Sequence, residues 1–203
     1  MELLAIASLS FLVGSIPWAF LAGRLRGIDI RMKGSGNVGA TNAARSLGAL
    51  IGAAVALLDA GKGLASVLLI APIGTGAAAS IGVPGLEAIT AGAAAMLGHV
   101  FCPWLAWKGG KGVAVGAAVA FAMAPLAAAI SLGVFLAFAL ATRYVSVGSL
   151  GAALALPLSY LFLYPGAVSY GPTLAFFCAA FAFILLTHRK NIIRLAEGKE
   201  PRF

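Results

Sequence analysis

Residues 112–146 read GVAVGAAVAFAMAPLAAAISLGVFLAFALATRYVS. From Gly112 to Ala141 no charged side chain interrupts the run, which is longer than the roughly 20 residues a helix needs to cross a bilayer. Pro125 disfavours a helix continuing through the residue before it, so Met123-Ala124-Pro125 divides the interval into two short helices. Charge gives an independent argument, since cytoplasmic loops collect Lys and Arg. With one crossing here, Arg143 and the basic end (Arg189, Lys190, Arg194, Lys199, Arg202) would lie opposite Arg24, Arg26, Arg31, Lys33, Arg45, Lys108 and Lys111. With two crossings, every loop cation falls on the cytoplasmic side.

Outward from this stretch, further apolar runs occupy 3–23, 49–71, 87–106, 147–164 and 171–188. The expected fold is an all-α polytopic membrane protein with seven transmembrane helices, N-terminus outside and C-terminus cytoplasmic, forming one domain over 1–203. The connections near 72–86 and 165–170 carry no Lys or Arg. Trp104, Trp107 and Tyr144 are expected at the inner interface, and Tyr164 and Tyr170 at the outer one. The composition agrees: 62% of residues are hydrophobic and 10% charged, against about 25% charged in soluble domains. The first run passes residue 20 without a small-residue cleavage site, so no removable signal peptide is expected. Gly48-x-x-x-Gly52 and Gly112-x-x-x-Gly116 read as close helix packing.

A net charge of +8, confined to short segments between apolar runs, suits anionic lipid heads and phosphorylated substrates better than nucleic acid. No obligate protein partner is readable. Cys102 and Cys178 belong to no metal or redox motif. The six acidic residues are scattered, so no carboxylate cluster for a metal is expected, and no cofactor.

Two polar islands stand out. Gly34-Ser35-Gly36-Asn37-Val38-Gly39-Ala40-Thr41-Asn42, with Arg45, runs into an apolar helix; Lys108-Gly109-Gly110-Lys111-Gly112 precedes another. Glycines let backbone N–H groups converge on an anion, and a helix N-terminus adds favourable dipole. Both are candidate phosphate sites at the membrane surface; against this stand a snorkelling Arg45 and two topology lysines. The second island lacks the glycine spacing and the Ser or Thr of a Walker A loop, so nucleotide hydrolysis is not indicated.

Asp59 and Lys62 share a helical face inside the second apolar run, where each charge costs about 2.5–3.5 kcal/mol on insertion scales, so they are expected to pair. His99 reads as a structural histidine. Ser146, beginning an inner helix, and His188-Arg189-Lys190-Asn191, closing the last, are further candidates; His188 could ligate phosphate or move a proton. Hydrolase-elbow, zinc-protease and His-x4-Asp acyltransferase patterns are all missing.

The order and spacing of these motifs resemble the PlsY family, the integral-membrane acyl-phosphate:glycerol-3-phosphate acyltransferases of bacteria. Besides the two islands, the likeness includes Gly14-Ser15-Ile16-Pro17, Leu58-Asp59, Lys62-Gly63, Gly98-His99-Val100-Phe101, Arg143-Tyr144-Val145-Ser146 and His188-Arg189-x-Asn191-Ile192, with Arg194, Gly198 and Glu200. It implies a seven-helix enzyme of the bacterial inner membrane, active on the cytoplasmic side. It would transfer an acyl group from acyl phosphate to the 1-hydroxyl of glycerol 3-phosphate, giving lysophosphatidate and inorganic phosphate. The resemblance implies catalytic positions at Ser35, Arg45, Lys108, His188 and Asn191. Substrate-binding positions would be Gly36, Asn37, Val38, Gly39, Asn42, Gly109, Gly110, Lys111 and Ser146. Direct attack assisted by a substrate phosphate is the expected mechanism, with His188 as base or Ser35 as nucleophile as alternatives. A transporter or scramblase for a phosphorylated lipid is the rival reading; a CDP-alcohol phosphotransferase ranks below it.

Overall fold

A computed structural model describes residues 1–74, 85–166 and 170–203, without the side chain of Tyr170. Much of the two uncharged connections, and the interface role expected of Tyr170, lie outside the described residues. Ten α-helices occur among them: α1 Glu2–Gly14, α2 Trp18–Leu25, α3 Ala40–Leu47, α4 Ala49–Ala65, α5 Leu86–Val100, α6 Val113–Met123, α7 Pro125–Thr142, α8 Val145–Leu163, α9 Tyr170–Thr187 and α10 Arg189–Ala196.

The expectation of seven spans is corrected. Among the described residues five segments are long and apolar enough to cross: Glu2–Leu25, Ala49–Ile73, Leu86–Leu105, Pro125–Thr142 and Val145–Leu163. A sixth exists if Gly171–Thr187 and Arg189–Ala196, bent by 58°, count as one. The division at Pro125 occurs, since α7 starts at that residue. What fails is the length of the preceding piece. Helix α6 has 11 residues, which at 1.5 Å each reach about 16 Å, half the hydrocarbon thickness.

Residues gather into two compact units, one from Met1–Ala77 and Glu87–Val119, the other chiefly from Ala120–Phe203. In the first, the chain breaks at Pro17 between α1 and α2, and α4 is prolonged by a π turn and a 3-10 turn to Ile73. Helices approach through small residues. A β-carbon at Gly52 would overlap the backbone of Ala44, and one at Gly63 the carbonyl of Val115. Of the spacings expected to mark close packing, Gly52 meets Ala44 and Gly116 lies against Met96, whereas a β-carbon at Gly48, whose φ is 101°, would meet nothing within 4 Å. Ala19, Ile30, Val38, Ala43, Val55, Cys102 and Leu105 form the core under the first glycine island.

In the second unit, Ala120, Ala124, Ala127 and Ala128 pack with Tyr160 and Phe177, whose rings meet edge to face at 5.2 Å. Polar groups within these helices bond to the backbone, as lipid surroundings require: Ser131 donates to the Ala127 carbonyl and Ser159 to that of Ala155. Long apolar side chains such as Leu57, Leu69, Leu140 and Phe162 are exposed, which suits surfaces solvated by acyl chains.

Candidate active site

The first island is a loop shaped by one asparagine. Asn42 is buried; its Nδ2 donates to the carbonyls of Ile30 and Lys33, and its Oδ1 accepts the Ser35 N–H at 2.9 Å. Both amide donors are thus engaged within the chain, so Asn42 shapes the loop and does not reach a phosphate through them. The Gly36 N–H goes to the Lys33 carbonyl and the Asn37 N–H to Ser35 Oγ. Gly34 and Gly36 take positive φ, 56° and 68°, the region glycine enters at no steric cost. Val38 points into the core, leaving only its backbone to meet a ligand.

Gly39 is the N-cap of α3, and no side chain caps that helix. The Ala43 N–H donates to the Gly39 carbonyl; the amides before it in the opening turn have no carbonyl one turn back to bond, the property an anion site uses. Ser35 and Arg45 are exposed at the two ends of this segment. The loop's entry is pinned by a bidentate pair, Arg31 donating to both Asp29 carboxylate oxygens at 2.9 and 2.6 Å, with the guanidinium over Phe20. The hydrogen bond from Arg31 holds the Asp29 carboxyl down at about 2.

The second island is also stitched to the fold. Gly109 and Gly110 donate to the carbonyls of Val100 and His99 at 2.9 and 3.0 Å. Their amides are therefore occupied and do not cradle phosphate in this arrangement. Lys108 is exposed and Lys111 partly so, which leaves the charge to the side chains. A narrow space lined by Val38, Asp59, His99, Gly109 and Gly110 borders both glycine islands. Asp59 and Lys62 pair at 2.9 Å as expected.

In the second unit the candidates converge on an acid. Glu200 Oε1 accepts from Ser146 Oγ at 2.8 Å and from Asn191 Nδ2 at 2.6 Å, and Oε2 from Arg194 Nε at 2.7 Å. Burial pushes the Glu200 carboxyl up, but these three donors outweigh it and hold it below the ordinary value. Glu200 was quoted in the resemblance without a role. Its signal was one of two acids in a basic tail, fifty-four residues from Ser146, a separation no local pattern bridges. His188 sits at the bend between α9 and α10, buried, its Nδ1 2.9 Å from the Ile184 carbonyl. A carbonyl oxygen can only accept, so that contact places a ring proton on Nδ1.

Fold and site together define a helical membrane enzyme whose polar loops are built for a phosphorylated substrate. The family described as Glycerol-3-phosphate acyltransferase matches residues 4–198. A glycerol-3-phosphate acyltransferase of Geobacter sulfurreducens is 41% identical over 201 residues, covering 98% of this chain and 97% of the relative. One from Synechococcus sp. (strain CC9902) is 42% identical over 200 residues, covering 98% and 94%. The crystal structure of PlsY (YgiH), an integral membrane glycerol 3-phosphate acyltransferase, in its glycerol 3-phosphate form superposes with a TM-score of 0.87. That pair shares 37% identity over 100% of this chain and 96% of the other. The lysophosphatidic acid form gives 0.84 at 36% identity, with the same coverage. The chain belongs to the glycerol-3-phosphate acyltransferase family and is an acyltransferase.

Proposed function

We propose that the whole chain, 1–203, acts as one acyl-phosphate-dependent glycerol-3-phosphate acyltransferase domain of a bacterial inner membrane, its active site facing the cytoplasm. The observation that carries the substrate class is the uncapped N-terminus of α3 beneath a buttressed glycine loop, with the cationic Arg45 on the same helix. Solved relatives named for a glycerol 3-phosphate form and a lysophosphatidic acid form support it. The clustering of Lys and Arg around the islands supports the cytoplasmic side.

In this reading the 1-hydroxyl oxygen of glycerol 3-phosphate attacks the acyl carbonyl carbon of acyl phosphate. A new C–O ester bond forms, the bond from carbon to the phosphate oxygen breaks, and the hydroxyl proton passes to a phosphate oxygen. The products are lysophosphatidate and inorganic phosphate. Phosphate is a good leaving group, so orientation and charge stabilisation supply most of what is needed. Arg45, Lys108 and Lys111 neutralise the phosphates; Ser35 and the α3 amides orient one of them. Within the second unit, Glu200 orders Ser146 and Asn191. His188 is the alternative base if no phosphate oxygen takes the proton.

The test is turnover of the purified, detergent-solubilised protein with palmitoyl phosphate and glycerol 3-phosphate, without added metal, following lysophosphatidate and phosphate. Stoichiometric release of both is expected, with palmitoyl-CoA inert as the parallel donor. Product from palmitoyl-CoA alone refutes the donor. Absence of product from folded protein refutes the reading.

A further inference from the structure

We infer that His99, braced by the Asp59–Lys62 ion pair, is a positioning residue for the Lys108–Gly112 loop and sets where the Lys108 ammonium stands. This deepens the reading above, and rests on it for the claim that Lys108 meets a substrate phosphate.

Three ionisable side chains are buried in apolar helices and take no part in the proposed chemistry: Asp59 at 2%, Lys62 at 5% and His99 at 8% exposure. Charges at membrane depth are retained where a partner and a role exist. Lys62 Nζ lies 2.9 Å from Asp59 Oδ1 and donates to the Ile16 carbonyl at 2.9 Å, tying α4 to the break between α1 and α2. His99 Nδ1 stands 3.6 Å from the same Asp59 oxygen, which directs that edge of the ring towards the ion pair.

The opposite edge of the ring meets the loop. A β-carbon at Gly110 would overlap His99 Nε2, Cε1 and Cδ2; one at Gly109 would overlap the carbonyls of His99 and Val100. The Gly109 and Gly110 amides donate to those two carbonyls. The loop therefore takes its register from one histidine, through its ring and its main chain together. Just ahead of Lys108, Ala106 and Trp107 adopt φ of 51° and 64°. Non-glycine residues keep such backbone only where surrounding contacts impose it. The two glycines of Lys-Gly-Gly-Lys thus serve close approach to His99, and the lysines lie where that approach puts them.

The experiment is a double-mutant cycle on the full chain in detergent: His99→Ala, Gly110→Ala and the pair, with His99→Asn and Lys108→Ala alongside. Each is measured for kcat, for KM towards glycerol 3-phosphate, and for thermal midpoint. Gly110→Ala alone is expected to lower kcat/KM by about tenfold or more, but by no more than about threefold in the His99→Ala background, where the ring is gone. His99→Asn keeps a polar side chain beside the Asp59–Lys62 pair, so it should melt close to the parent chain yet show kcat or KM changed about fivefold or more. Multiplicative effects of His99→Ala and Gly110→Ala, with Lys108→Ala impaired, overturn the positioning. Undiminished kcat/KM in Lys108→Ala overturns the role of the lysine itself, and this inference with it. Should Gly110→Ala not fold, His99→Asn decides: parental kinetics overturn the inference.

Discussion

Asn42 and Glu200 each satisfy several partners from one buried side chain, so single substitutions there should reach far. Asn42→Ala leaves the Ile30 and Lys33 carbonyls and the Ser35 amide without their partner, at a cost of about 1–3 kcal/mol. We expect a lower melting point and a loss of turnover of about tenfold or more, with Asn42→Asp no milder because it sets a carboxylate oxygen against both carbonyls. Initial rates and detergent melting curves check this. For Glu200, the folded-state pKa lies below the ordinary 4.5. The unfolded chain therefore takes up that proton first as pH falls. The stabilisation is complete above the ordinary value and is lost as pH drops through the folded one. Glu200→Gln should melt lower at neutral pH and show a shallower decline of melting temperature on acidification; an identical acid slope would refute the assignment.

Among the elements, the short ones carry the residues of the proposed chemistry. Helices α3 and α10 have eight residues each and present Arg45 and Asn191; the long helices supply the surfaces that fix them. Helix α3 is held at Gly52, where α4 touches the Ala44 backbone. Gly52→Val should push α3 away and cost about 1–3 kcal/mol, read as a lower melting point with turnover falling in step. Unchanged melting would mean that α3 is fixed elsewhere. The motifs marked α3 and the loop before it, because Gly and Asn signal turns and helix starts. They also placed the break at Pro125. They did not give the length of α6, since an unbroken apolar run has no internal signal for where a helix stops short.

For the molecule as a whole, the distribution of charge makes one checkable statement, that the face bearing the first glycine island is cytoplasmic. Met32 lies exposed in that loop, and the native cysteines are a buried Cys102 and an exposed Cys178. In a Cys178→Ala background, Met32→Cys should react with a membrane-impermeant maleimide in inverted membrane vesicles and not in right-side-out ones. The reverse pattern would place the loop outside.

Composition and motif order determined the membrane class, the helical fold and the two phosphate-seeking islands, because hydropathy and glycine or proline punctuation act locally along the chain. The Asp59–Lys62 pair was legible for the same reason, three residues apart on one helix face. Only the tertiary structure decided what each polar group does once folded. It turned Asn42 and the Gly109 and Gly110 amides inward, pointed Val38 into the core, and made Glu200 the common acceptor of Ser146, Asn191 and Arg194. It also left α6 at 11 residues where a crossing was expected. Those outcomes depend on contacts between residues distant in sequence, where a donor goes to whichever acceptor the packing brings within reach.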